Sequence, residues 1–232
     1  MKSFSAKKYD ICIANLLAAY RARFLAHPFL EAARKNQIPQ PILQEFAFNQ
    51  YSDSILWVPM LSLMKSRVTA PRLLRAIHEN IEHETGLKGS SHIDLARQMM
   101  RSLGLTDLNR FPAQTFSNSA QMWLSEDFAE YSFGEAEIAG WLMVAETLVP
   151  LMFEAMMPSF ASIPDCKVDY FSEHVSVDGD QHSIWMRESV REILDLGTRS
   201  TPAKIIAGMK DAMEETLEIP NQLWEKLQCA SH

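Results

Sequence analysis

The chain has 232 residues, 47% of them hydrophobic, enough to bury a sizeable core, and no Ser/Gly-rich, Pro-rich or single-charge run reads as a linker, so one domain over 1–232 is expected. A formal charge of -7 and a pI near 5.5 leave no extended basic field to neutralise phosphate, so neither nucleic acid nor an anionic membrane is an expected partner. Cys12, Cys166 and Cys229 are odd in number, widely spaced and form no CxxC pair, which argues against a disulfide framework and for a reducing cytoplasm.

Apolar residues recur at helical spacing throughout, and no alternating run bounded by turn residues marks a strand, so the expected class is all-α with seven to eight helices. The expected spans are 5–26, 40–66, 70–85, 90–103, 119–131, 134–157, 167–196 and 200–228. The apolar patch near the N-terminus is interrupted by Tyr9, Asp10 and Asn15 and lacks a small-residue cleavage site, so it is not read as a signal peptide. His27 precedes Pro28 and belongs to a surface turn or helix end. Pro71 falls in the first turn of the helix over 70–85, Ser90-Ser91 can cap the next, Gly104 marks its end, and Pro202 opens the last helix. Residues 105–120 carry turn formers and weak periodicity, and read as a connecting loop. The thirteen Met are adaptable core filler; of the five Trp, Trp57 and Trp141 are the pair expected to line a pocket.

Three stretches could carry chemistry. Between His78 and His92 stand six metal-competent side chains, His78, Glu79, Glu82, His83, Glu84 and His92, and spacing alone does not choose among them. No HExxH and no Glu-x-x-His pair occurs, which excludes the familiar zinc-protease helix and argues against a ferritin-like di-iron bundle. The stretch Ile138 to Met157 has transmembrane length, but it carries two carboxylates and a proline. Around Glu146 it is apolar on every face, so this helix should cross the core with Glu146 buried. A buried carboxylate needs compensation; a metal supplies it, as would protonation or a paired Arg. Pro150 lacks the amide that would bond the Glu146 carbonyl and should kink the helix there, while Glu154 falls at the surface or rim. Finally, His174, Asp178 and His182 are spaced by four, which on a helix places all three on one face with a drift of about 40° per step. Mixed nitrogen and carboxylate donors suit iron or manganese over a closed zinc site, although a solvated face on which Asp178 pairs with a histidine reads the same way. Gly179 weakens that helix by roughly 1 kcal/mol relative to Ala.

The wording of ENIEHETGLKGSSHIDLARQMMRSLG, then AGWLMVAETLVP, then YFSEHVSVDGDQHS resembles the haem-oxygenase-like di-iron oxidases, in particular the branch that includes the chlamydial death-domain-associating protein and its bacterial relatives. The likeness runs from about Asn80 to about Ser183. It implies a single haem-oxygenase-like helical bundle and a ligand set of Glu84, His92, Glu146, His174, Asp178 and His182 around two ferrous ions, with manganese as the alternative in one site. Glu84 matches because it precedes Thr85-Gly86, and His92 because it opens His-Ile-Asp-Leu. The Glu84–His92 and Asp178–His182 spacings are each one residue longer than in close relatives. Some aminobenzoate-forming relatives carry a lysine ten residues after the lone Glu; here that position is Met156, so self-sacrificing synthesis of that kind is not expected. The resemblance implies oxidation of a small amine, amino-acid-like or fatty-acid substrate by O2, and a homodimer, which no sequence feature supports. The same fold hosts metal-free thiaminase-type hydrolases, for which Cys166 is the candidate nucleophile, and the death-domain association of the relative suggests a non-catalytic interaction protein as a further alternative.

Overall fold

The structure is a computed structural model, described for residues 6–87, 89–106, 133–177 and 182–230. Among these residues it is all-helical: α1 Ala6–Leu25, α2 Pro28–Arg34, α3 Gln40–Ser66, α4 Pro71–Glu84, α5 His92–Ser102, α6 Glu135–Ala161, α7 Asp169–Val177, α8 Ser183–Leu196 and α9 Thr201–Ala230. Nine helices among the described residues exceed the expected seven to eight for two reasons. No helix is expected between 26 and 40, yet Pro28 at its first position and the His27 ring, which accepts from the Phe29 amide at 3.2 Å, are enough to start the short α2, with His27 at a helix end as expected. Over the expected helix 167–196 the described residues form α7 and α8, and the residues between them, 178–181 with Asp178, lie outside the described residues. The expected helix 119–131 and most of the 105–120 connection also lie outside them.

Helix α6 is the axis of the fold, packed against α1, α2, α3, α7, α8 and α9. Its length and composition would let it cross a membrane, but 78% of its most apolar window is buried by other helices, the signature of a core helix. It continues through Pro150 and Pro158 to Ala161, four residues past the expected end, because dense packing on both sides outweighs the lost amide bonds. The helix-terminal punctuation is largely as expected: Pro71 opens α4, and Gly104, at φ +79°, follows α5. Ser91 occupies the N-cap position of α5 but makes no side-chain capping bond.

Two close approaches set the geometry that matters for the site. At the α6/α9 crossing, a Cβ on Gly140 would collide with the Ile205 carbonyl, and a Cβ on Gly208 with the Glu137 carbonyl, so the two backbones touch reciprocally where no side chain intervenes. Between α4 and α5, Gly86 adopts φ +78° and lies so close to the Ser91 backbone that a Cβ there would approach the Ser91 amide to 2.7 Å. That turn leaves Glu84 as the last residue of α4 and His92 as the first of α5.

Gly208→Ala is expected to cost about 1–3 kcal/mol, as overpacking a filled interface does, and to lower Tm in calorimetry by several degrees; an unchanged Tm would show that the crossing relaxes freely.

Candidate metal centre

The site is assembled from five helices, α4 to α8. Helix α4 is strongly amphipathic, and of the six candidates between His78 and His92 only Glu84 and His92 are buried, at 6% and 2% exposure. His78 is exposed beside Glu82 and Lys65, and Glu79, Glu82 and His83 are half-buried. Burial thus makes the selection that spacing left open. From α6, Glu146 is 6% exposed, as its all-apolar surroundings required, while Glu154 is exposed at the surface. His174 on α7 and His182 at the start of α8 are both buried, so neither sits on a solvated face.

Glu84 Oε2 stands 2.9 Å from His92 Nδ1, and ligand atoms of Glu84, His92 and His174 all lie within 4.8 Å of one another. The His92 and His174 rings are 4.2 Å apart, centroid to centroid. His174 Nδ1 is 2.7 Å from the Tyr170 carbonyl, which can only accept, so Nδ1 carries the proton and Nε2 keeps its lone pair. Burial, followed by the neighbouring His92, drives the His174 pKa well below 6.5, against the opposing pull of the Tyr170 carbonyl. The ring therefore stays neutral, the form that binds metals.

Glu146 forms the second part. Asn80 Nδ2 donates to its Oε1 at 2.6 Å, and its Oε2 lies 3.2 Å from His182 Nδ1, so its partners are an amide and an imidazole rather than an Arg. The His182 ring stacks on Trp185 at 5.2 Å and 26°, with His83 on another side at 5.3 Å. Sequence reasoning passed over Asn80. Its signal was position: one turn before Glu84 on the same face of α4.

Glu84, Glu146 and His174 share the wall of one cavity of about 140 Å³, lined otherwise by residues of α3, α6, α7 and α9 that include the expected pair Trp57 and Trp141. Cys166 is not in that wall; its thiol is half-buried, within 3.7 Å of Ser102, and burial raises its pKa, the reverse of what a nucleophile needs. Two buried carboxylates and three buried imidazoles converge with no buried Lys or Arg among the described residues. Such a donor set fits a divalent iron ion, which would balance the carboxylate charge and suit mixed oxygen and nitrogen ligands.

The profile of a family described as iron-containing redox enzymes matches residues 44–215, which contain every one of these side chains. The chain belongs to that family. The match gives iron and a redox role at that level. A crystal structure of a domain of unknown function with a haem oxygenase-like fold, from Shewanella denitrificans, is similar to this chain at a TM-score of 0.70 and 15% identity, over 98% of this chain and 95% of that one. That likeness establishes the haem-oxygenase-like fold. No curated protein matches the chain.

The His174 shift has a sign that can be measured. Above pH 6.5 the ring is neutral in folded and unfolded chains alike; below it the unfolded chain takes a proton that the folded chain refuses, so stability falls until the folded pKa is reached. Urea unfolding of the metal-free chain should show wild type losing more stability than His174→Gln between pH 7.5 and 5.5; parallel losses would place the proton elsewhere.

Proposed function

We propose that this protein is a non-haem di-iron oxidase that uses O2 on a small organic substrate, an amine, an amino-acid-like molecule or a fatty acid, held in the cavity beside the centre. Glu84, His92 and His174 would hold one ferrous ion, and Glu146 and His182, with Asp178, the other; manganese is the alternative occupant of one site. The observation that carries the reading is the convergence of Glu84, His92 and His174 within 4.8 Å in the interior, with Glu146 opening on the same cavity. Bound iron would supply the electrons with which O2 is reduced.

The chain's own residues have definable tasks. Tyr170, through its carbonyl, fixes the His174 tautomer, leaving Nε2 as donor. Asn80 holds one oxygen of Glu146 and leaves the other toward His182. Phe153 meets the His174 ring edge-on at 4.8 Å, and with Met60, Met152 and the two indoles it keeps bulk water from the reacting atoms.

Anaerobic titration of the purified chain with ferrous iron is expected to saturate at two ions per chain, and admission of O2 should then be followed by stoichiometric O2 consumption. Absence of saturable uptake would end the proposal. His92→Ala should lose uptake at one site outright, and Asn80→Leu should weaken iron binding about 10–100-fold, the range for removal of a residue that orients a ligand. Cys166→Ala should leave iron uptake and O2 consumption unchanged, whereas a thiaminase-type reaction would be lost.

A further inference from the structure

One polar group in the cavity wall lacks the partner its burial requires. Gln50 of α3 is 3% exposed and lines the cavity, and its Nε2 has no hydrogen-bond partner. Hydroxyls of the same wall are engaged within the protein. Ser54, one turn along α3, donates to the Gln50 backbone carbonyl at 2.9 Å, so the Tyr170 hydroxyl, 3.0 Å away, donates to Ser54. On α9, Thr216 donates to the Ala212 carbonyl at 2.7 Å. Buried amide donors are nearly always satisfied, so the Gln50 side chain calls for an acceptor oxygen brought by a bound molecule.

The rest of the wall says what body that molecule has. Trp57 of α3 and Trp141 of α6 lie 5.7 Å apart at 35°, and Phe153 of α6 and Tyr170 of α7 lie 5.4 Å apart at 60°. Ring faces and edges so arranged attract a further ring beyond the apolar area it covers. Size agrees with this. An apolar cavity of about 150 Å³ takes a benzene ring, and this one measures about 140 Å³. The polar contact also falls near the centre, because Ser54 ties the Gln50 turn of α3 to Tyr170, whose ring is 4.5 Å from that of His174.

We propose that Gln50 determines specificity by donating from Nε2 to the carbonyl-type oxygen of a compact aromatic substrate, whose ring packs among Trp57, Trp141, Phe153 and Tyr170. This rests on the reading of Glu84, Glu146 and His174 as the reactive end of the same cavity. It narrows the classes left open above: an amine or amino-acid-like molecule with one ring and an acceptor oxygen meets both features, whereas a long-chain fatty acid brings the oxygen but outruns the space.

The test is calorimetric binding to the full chain, metal-free and iron-loaded, of three probes: acetophenone, its apolar isostere isopropenylbenzene, and a methyl ketone with a long alkyl chain. Gln50→Met keeps length and bulk and removes the donor. Wild type should bind acetophenone, and should bind the long-chain ketone no more tightly. The ratio of acetophenone to isopropenylbenzene affinity should fall at least fivefold from wild type to Gln50→Met, because that ratio cancels the different hydration of the two probes. Should Gln50→Met fail to fold, Gln50→Leu takes its place. Failure of wild type to bind acetophenone, tighter binding of the long-chain ketone, or a ratio unchanged by loss of the donor, as follows if the amide serves only a water, overturns the proposal. Iron titration of the same samples reports on the centre separately. Uptake of iron by a chain that ignores acetophenone refutes the aromatic pocket alone, and Gln50-dependent binding by a chain that takes no iron refutes the centre alone.

Discussion

Placing Glu84 and Glu146 in an apolar interior is the constraint to which the rest of this structure answers. An ionised carboxylate out of water is costly unless positive charge or several donors replace its hydration. Among the described residues no Lys or Arg is buried, and the groups around the two carboxylates are imidazoles and one amide. Several of the groups at the site are in turn held by something else: His174 by the Tyr170 carbonyl, Tyr170 by the Ser54 hydroxyl at 3.0 Å, His182 by the face of Trp185. A fold selected only for stability has little reason to build such an arrangement, whereas one that holds iron needs donors prearranged in this way.

How far the sequence reveals this depends on whether a signal is local. Glu146 was readable because apolar side chains surround it on every face of one helix. His174 and His182 were readable from spacing, and the stretch between α7 and α8 that would show whether one helix carries both lies outside the described residues. They meet because α7 and α8 both pack on α6. Glu84 and His92 could not be chosen from six candidates by periodicity; resemblance named them, and burial now separates them from His78, Glu79, Glu82 and His83.

What the sequence did not yield is what long-range packing creates. Asn80 is one more polar residue on α4 until Glu146 is brought opposite it. Gln50, Asp53 and Glu215 become neighbours of one space only when α3 and α9 close over α6. A trace was present: α3 carries Asn49, Gln50, Ser52, Asp53 and Ser54 in the midst of a largely buried helix, and such a polar band seldom occurs without something to serve. The brief α2 was missed for another reason, since a seven-residue helix offers too few turns for periodicity to register.

The glycine contact between α6 and α9 has a bearing on selectivity. Where side chains separate two helices, a bulky guest can be accommodated by a change of rotamer; where main chain lies on main chain, no such slack exists. Trp141 follows Gly140 directly and Glu215 lies two turns beyond Gly208, so both are fixed to an unyielding seam. For a substrate held in the cavity, this side would set the width admitted, and any adjustment to shape would fall to the side formed by α3.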